Sequence, residues 1–375
     1  MNITETEAKS ILRKNKKIDS WFITHYSMNL YIGCSFNCSY CDGRAESYYV
    51  PGEFGKDISV KTNAIKILRK ELDPKRKRKP LKRSFIFPGG GICDSYEPTE
   101  KKYELTKQTL ELLYEYNFPV HILTKSTLVE RDIDLLKMIN EKNRAIVSFS
   151  FSSVDDKISS IFEPLASAPS KRLATIEKFK KAGLTCGMYL MPVIPFITDT
   201  PKMIDDSIRA AKNAGVDFIV FSGMTLKEGR QKDYFMNTLN EHFPQLSLEY
   251  ETIYQKDKWG NTSQDYYEMI NFTFNTIAKK YKIPKRIPAK FYNDILSKND
   301  LVVVILDQID FLLKSRGYKS QFGYASYAIS KLDVSVESIR NKLGQINGIG
   351  NTIRKIIWEI LDTGTSQYYE KLLID

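Results

Sequence analysis

At 375 residues the chain exceeds the size at which a single core usually stops growing, so more than one domain is expected. The sequence contains no apolar run of eighteen residues, and its N-terminus, MNITETEAKSILRKNKKIDS, is polar and mixed in charge; both features argue against a membrane span or a secretory signal and for a cytoplasmic protein. A net charge of +11 points to a polyanionic partner, nucleic acid first, and five cysteines without a signal argue against a disulfide framework and leave metal binding or redox chemistry.

In chain order, six short apolar runs alternate with amphipathic helical patterns. The runs are MNLYIG at 28–33, SFIFPG at 84–89, VHILTK at 120–125, IVSFSFS at 146–152, TCGMYLMP at 185–192 and FIVFSG at 218–223. Helical periodicity fills 60–72, 99–116, 132–140, 170–182 and 201–214. Strict alternation means parallel strands joined by right-handed crossovers, so an α/β fold is predicted, a partial (βα)6 TIM-like barrel over 1–225. Chemistry then belongs on the loops at the strands' C-terminal ends. The unusual residues sit in those loops: three cysteines after the first run, GGGICDSYEP after the second, TKST after the third, SFSS after the fourth and MPVIP after the fifth.

Before the second run lies PKRKRKPLKR, 74–83, in which seven of ten residues are basic. Two readings stand for it, a solvated mobile loop and a direct phosphate contact. Residues 226–300 are aromatic-rich, charged and broken by prolines, which reads as a helical connecting region. From 301 to 375 the pattern is helical again and predicts a small all-α domain.

Cys34, Cys38 and Cys41 are spaced C-x3-C-x2-C. A closed zinc site needs four protein ligands, whereas no fourth cysteine is near and His25 precedes the strand rather than lying in the loop. Three thiolates suit an iron-sulfur cluster with one iron left open.

With an aromatic, Tyr40, just before the last cysteine, this spacing resembles the radical S-adenosylmethionine superfamily over roughly residues 25–225. The resemblance implies a [4Fe-4S] cluster on the three cysteines and S-adenosylmethionine bound to its open iron. It also implies an external electron donor such as a flavodoxin or ferredoxin, and a 5'-deoxyadenosyl radical that abstracts hydrogen from substrate. It places Gly89, Gly90 and Gly91, with Asp94 and Ser95 of the same loop, at the methionine moiety. Lys125, Ser148 and Ser150 fall where relatives contact the carboxylate or ribose; a surface lysine and strand-end hydroxyls are the plainer reading. Met191 and Pro192 would line the adenine, with Tyr40 also touching the cofactor. Glu163 and Arg172 either pair with each other or touch the cofactor.

The order GGGICDSYEPTE, PVHILTKSTLVERDIDLL, FEPLASAPSKRL and MPVIPFITD more closely resembles the branch that includes spore photoproduct lyase. That branch implies repair of a damaged DNA base, with Cys93 returning a hydrogen atom; a small buried hydrophobe is the alternative for this thiol. Cys186 reads as core. Tyr40 matches the first of a tyrosine pair that relays the radical, but Asp42 stands where the second should be, and Tyr96 is the substitute to consider.

Near the C-terminus, IRNKLGQINGIGNTIRKIIWEILDTG at 339–364 carries a helix-hairpin-helix pattern. Gly348 and Gly350 would form the turn that cradles a DNA phosphate, with Arg340, Lys342, Arg354 and Lys355 beside it. Residues 301–373 resemble the N-terminal domain of family X DNA polymerases, although Ile356 stands where those with lyase activity carry a lysine. A helical cap that only packs on the barrel is the structural alternative. The combined expectation is an enzyme acting on damaged duplex DNA. RNA, including transfer RNA, and a non-catalytic iron-sulfur DNA-binding protein are the competing classes, and no membrane is involved.

Overall fold

The computed structural model describes residues 1–254 and 258–375. Among these, the strands form two sheets. The larger contains β2 (Arg13–Asp19), β3 (Thr24–Ser27), β6 (Phe85–Phe87), β7 (Val120–Thr124), β8 (Ala145–Phe151), β9 (Thr185–Val193) and β10 (Phe218–Gly223), in the order β10-β9-β8-β7-β6-β3-β2. It runs parallel from β3 to β10, with β2 antiparallel at its edge. A smaller sheet joins β1 (Asn2–Thr6), β4 (Tyr31–Ile32) and β5 (Asp57–Lys61). The crossovers carry α1 (Ala64–Leu72), α2 (Glu100–Tyr103), α3 (Leu105–Glu115), α4 (Ile133–Lys142), α5 (Asp156–Phe162), α6 (Pro169–Lys181) and α7 (Pro201–Asn213). The result is a curled half-barrel of βα units. Among the described residues, no helix is long and apolar enough to cross a membrane.

Five of the six expected strands lie on their apolar runs; the first does not. The strand entering the barrel is THYS, and MNLYIG leaves the sheet, its residues 31–32 pairing with β5 instead. THYS looks too polar for a buried strand because its partners are distant in sequence. Thr24 Oγ1 bonds the carbonyls of Tyr26 and Phe85 at 2.8 and 2.6 Å, and His25 Nε2 faces Asp300 at 3.0 Å. The edge strand β2, RKNKKID, is likewise too charged to be legible as a strand.

Period-two alternation splits the sheet's residues between two cores. Ala145, Val147, Phe149 and Phe151 of β8 face the helix layer with Ile176 and Phe179 of α6, while Ile146 faces the concave side with Tyr189, Phe218 and Val220. The lower part of that concave side is filled. Phe22 stacks on Phe87 at 4.2 Å and on Tyr189 at 5.4 Å. Below it lie α11 (Lys298–Lys314), α12 (Phe322–Ser330), α13 (Asn351–Thr363) and α14 (Gln367–Ile374), whose Val303, Leu306, Ile357 and Leu373 share the same core. Among the described residues, space remains toward the strands' C-terminal ends.

Residues 226–300 do more than connect. They contain α8 (Arg230–His242), α9 (Ser247–Ile253) and α10 (Gln264–Tyr281). Phe274 of α10 stacks on Phe221 of β10 at 4.1 Å, and Tyr266, Ile270 and Ala278 join the barrel's helix-side core, so α10 serves as the helix of the sixth βα unit. Phe235, Leu239 and Tyr250 of α8 and α9 roof the cysteine loop. The aromatic content that obscured this segment is what it buries.

Candidate active site

The loop after β4 is held from within. Buried Arg44 donates from Nε to the carbonyl of Cys38 at 3.0 Å and from Nη2 to that of Asn37 at 3.2 Å, with its guanidinium 3.5 Å from the Tyr234 ring centre. This clamp places Cys34, Cys38 and Cys41 on one wall of a cavity of about 160 Å³. Gly89, Gly90 and Gly91 form the facing wall, with Asp94, Lys125 and Ser150 around the rim and Phe87 and Leu123 beneath. A Cβ on Gly90 would meet Asn29 Oδ1, so the bare backbone leaves room for that side chain against the glycine wall.

The donor set fits the implied cluster. Three thiols converge on a space walled by bare backbone, and among the described residues no three His, Cys, Asp or Glu side chains gather closely enough for a single ion. Three cysteines on a cavity faced by glycine backbone match a cluster bound by three thiolates with one iron left open. Burial pushes the free Cys38 thiol up to about 12 and raises Cys34 and Cys41 as well, so cluster binding must expel protons from all three.

Several expected cofactor residues form one hydrogen-bonded chain across the strand tops. Thr124 Oγ1 and Lys125 N each donate to the Asp94 carboxylate at 2.7 Å. Lys125 Nζ donates to Ser150 Oγ at 2.6 Å, and Ser150 Oγ to the carbonyl of Met191 at 3.1 Å. Lys125 is thus an inward cation on the cavity wall, not a surface lysine. Ser95 turns back and donates to the carbonyl of Pro88, which fixes the glycine loop. Met191 packs its side chain into the concave core, followed by Pro192 through a cis peptide bond, and neither lines the cavity.

Tyr40 lines the cavity, and its hydroxyl donates to Glu163 Oε1. Glu163 pairs with Arg172, both side chains having no exposed surface, and also accepts from Ser152 at 2.8 Å and Ser159 at 3.2 Å. Burial alone would raise this carboxyl, but the charges of Arg172 and Lys125 hold it down at about 2. The pair therefore braces the wall behind Tyr40. Glu163→Gln removes its negative charge and leaves a buried guanidinium uncompensated. A loss of about 3–5 kcal/mol is expected, read as a lowered midpoint in chemical denaturation, whereas an unchanged midpoint would show that the pair carries no stability.

Two further expected site residues lie elsewhere. Tyr96 is fully buried in the helix layer, where its hydroxyl donates to Asp132 Oδ2 at 3.0 Å, because the chain after the glycine loop turns outward into α2 and α3. It does not reach the cavity and cannot replace the missing second tyrosine. Ser148 points into the concave core one step below Ser150 and bonds His121 Nε2 at 2.8 Å. Asp42 is committed to Lys227 at 2.8 Å, Thr225 at 2.9 Å and Gln231 at 3.0 Å. Cys186 is core, as expected.

Cys93 lies on the cavity wall, joined to Gly90 by a β-bridge, with its Sγ 3.6 Å from Asn29 Oδ1. Burial and then Asp94 push its thiol up to about 12, so it keeps its hydrogen at neutral pH. Asn29 in turn accepts Lys61 Nζ on its backbone carbonyl at 2.7 Å. Asn29 and Lys61 escaped the sequence reading; a polar residue inside the apolar run MNLYIG was the one signal available.

In the C-terminal module, Gly348 takes φ +86° and packs against the Tyr324 ring, and Gly350 caps α13. With Gln321 and residues 344–353 they line an open depression of about 660 Å³. Lys342 and Lys355 are exposed, and Arg354 bonds Asn351 Oδ1 at 2.9 Å. Arg340 donates to both carboxylate oxygens of Asp362, at 2.5 and 2.6 Å, in an exposed ion pair.

Comparison with known proteins agrees with the cysteine loop and the half-barrel. Residues 28–204 match the radical SAM superfamily. An uncharacterised protein of Mycobacterium tuberculosis is 31% identical over 234 residues, 61% of this chain and 67% of the relative. One of Methanocaldococcus jannaschii is 27% identical over 221 residues, 59% of this chain and 77% of the relative. Among solved structures, spore photoproduct lyase complexed with dinucleoside spore photoproduct aligns with a TM-score of 0.54 at 15% identity, over 74% of this chain and 79% of that one, which is a likeness of fold.

Proposed function

Because the chain belongs to the radical SAM superfamily, using a [4Fe-4S] cluster and S-adenosylmethionine, we propose that it acts on DNA, reversing damage at a base as a lyase of the spore photoproduct type. The observation that carries this reading is Cys93, a thiol kept protonated by burial on the same small cavity as the three cluster cysteines. When bound, the cluster and S-adenosylmethionine supply one-electron cleavage of a sulfonium and thereby a hydrogen-abstracting radical.

The chain's own residues do the rest. Cys34, Cys38 and Cys41 hold the cluster. The Gly89–Gly91 backbone admits the methionine moiety, while Asp94, Lys125 and Ser150 orient its charged groups. Cys93 donates a hydrogen atom to the substrate radical, its S–H being weak enough to quench carbon. One electron from a flavodoxin or ferredoxin and one proton then restore the thiol. A tyrosine relay is not part of this scheme, because Asp42 is tied to Lys227 and Tyr96 lies outside the cavity. The glycine turn at Gly348 and Gly350, with Lys342, Arg354 and Lys355, grips the backbone without regard to sequence. A lesion lowers the cost of bringing the base out of the stack to the cavity.

The test is incubation of anaerobically reconstituted, reduced protein with ultraviolet-irradiated duplex DNA, followed by mass spectrometry of the nucleosides. Loss of a thymine lesion with matching gain of thymine, dependent on S-adenosylmethionine, is expected. Cleavage of S-adenosylmethionine with every lesion intact would reject the repair reading, and modification of transfer RNA in parallel samples would replace it.

A further inference from the structure

The basic run has a defined shape. Between α1 and β6, Arg76 folds back on its own loop, donating from Nη1 to the carbonyl of Glu71 at 2.7 Å and from Nε and Nη2 to that of Lys79 at 3.1 and 2.5 Å. Asp73 Oδ1 accepts from Lys75 N at 2.8 Å, and Tyr26 OH from Lys82 N at 2.8 Å. Two prolines, Pro74 and Pro80, stiffen the same stretch. One basic side chain is therefore spent on shaping the loop so that the others project from a fixed frame.

That frame encloses a groove of about 710 Å³ between the loop, α1 and the start of β2. Lys9, Lys14, Lys70, Lys77, Arg78 and Lys79 line it and are exposed. None of the six pairs with a carboxylate among the described residues, although neighbouring Arg69 pairs with Glu115 at 2.5 Å. The one acidic side chain on the groove, Glu71, is occupied by the backbone N–H groups of Ile11 and Leu12, at 3.2 and 2.8 Å. Unneutralised cations held around a concave surface, with Leu12, Ile67 and Leu81 as its floor, fit a polyanion rather than a carboxylate or a neutral ligand.

The groove also adjoins the C-terminal module. Lys14 lines the groove, and three residues on, past an irregularity in the ladder with β3, Lys17 bonds Asp307 of α11 at 2.5 Å. His25 of the next strand faces Asp300 of the same helix at 3.0 Å. The groove and the module carrying the Gly348 turn thus share β2 and β3 as their common wall.

We propose that this groove is a second binding site for the phosphodiester backbone of duplex DNA, holding the duplex along the β2 edge together with the glycine turn. The proposal rests on the DNA reading above, and the experiment separates the two. Binding of a fluorescently labelled duplex to the full chain is measured against potassium chloride concentration for the native protein, for K77E/R78E/K79E, for K14E/K70E and for Gly348→Val. Both groove variants are expected to lose at least about tenfold in affinity and to flatten the log–log salt slope by about 2, at about 0.9 per phosphate released. Their cleavage of S-adenosylmethionine without DNA should be unchanged, which shows that they are folded. Native affinity and slope in both groove variants would overturn the proposal. If only Gly348→Val weakens binding, the groove is also excluded but the DNA reading stands. Native protein that binds no duplex at low salt overturns both. Groove variants that lose phosphatidylserine vesicles but keep the duplex would assign the groove to a membrane surface, against this proposal.

Discussion

Cys38→Ala is expected to abolish the iron-sulfur absorbance of anaerobically reconstituted protein and to lower 5'-deoxyadenosine formation at least about 1,000-fold. Loss of an outer partner of a metal ligand typically costs about 10–100-fold, and loss of one of only three ligands should exceed that. No other cysteine can step in: Cys186 lies in the helix-side core, and Cys93 is fixed on the facing wall by its bridge to Gly90. The fold should survive, because Arg44 clamps the loop through backbone carbonyls rather than through sulfur. Cys186→Ala is the matched control and should keep both absorbance and cleavage. A Cys38→Ala protein that retains the full absorbance would place the cluster elsewhere.

Cys93→Ala should behave in the opposite way, with S-adenosylmethionine still cleaved but clean product falling by about 100-fold, taking as scale the lower end of what one positioned proton-transfer group contributes. Substrate radicals that receive no hydrogen should appear as adducts in the mass spectrum. Burial sets the pH behaviour. Because the thiol is raised to about 12, its hydrogen-bearing form persists through neutral and mildly alkaline solution and is lost only as pH approaches that value. This residue should therefore add no alkaline limb to turnover between pH 7 and roughly 10, whereas an ordinary exposed cysteine thiol near 8.5 would impose one. Unchanged clean turnover in Cys93→Ala would remove the donor role.

What was legible in the sequence was local. The cysteine loop could be read because its spacing lies within eight residues, and five βα units because apolar runs and helical periods alternate there without interruption. The first strand was misplaced because Thr24 bonds Phe85 and His25 faces Asp300, partners 61 and 275 positions away, so their polarity imitates a loop. Tyr96 and Ser148 miss the cavity for different reasons: the turn after the glycine loop carries Tyr96 outward, whereas Ser148 shares the concave face with Ser150 but lies two residues deeper along β8. The ion pair of Glu163 and Arg172 could be named in advance, but only their complete burial shows that it braces the wall behind Tyr40. Nothing in the composition of PKRKRKPLKR separates a mobile loop from a framed one, because the difference rests on where one guanidinium, Arg76, finds its acceptors.

If Cys93 returns hydrogen to a base in DNA, as proposed, the isotope on its thiol should follow. The S–H hydrogen exchanges with solvent, so protein equilibrated in deuterium oxide and given unlabelled, ultraviolet-damaged DNA should place one deuterium per repaired lesion, in one of the two bases released in a single turnover. Repaired bases free of deuterium from the native protein would contradict the account.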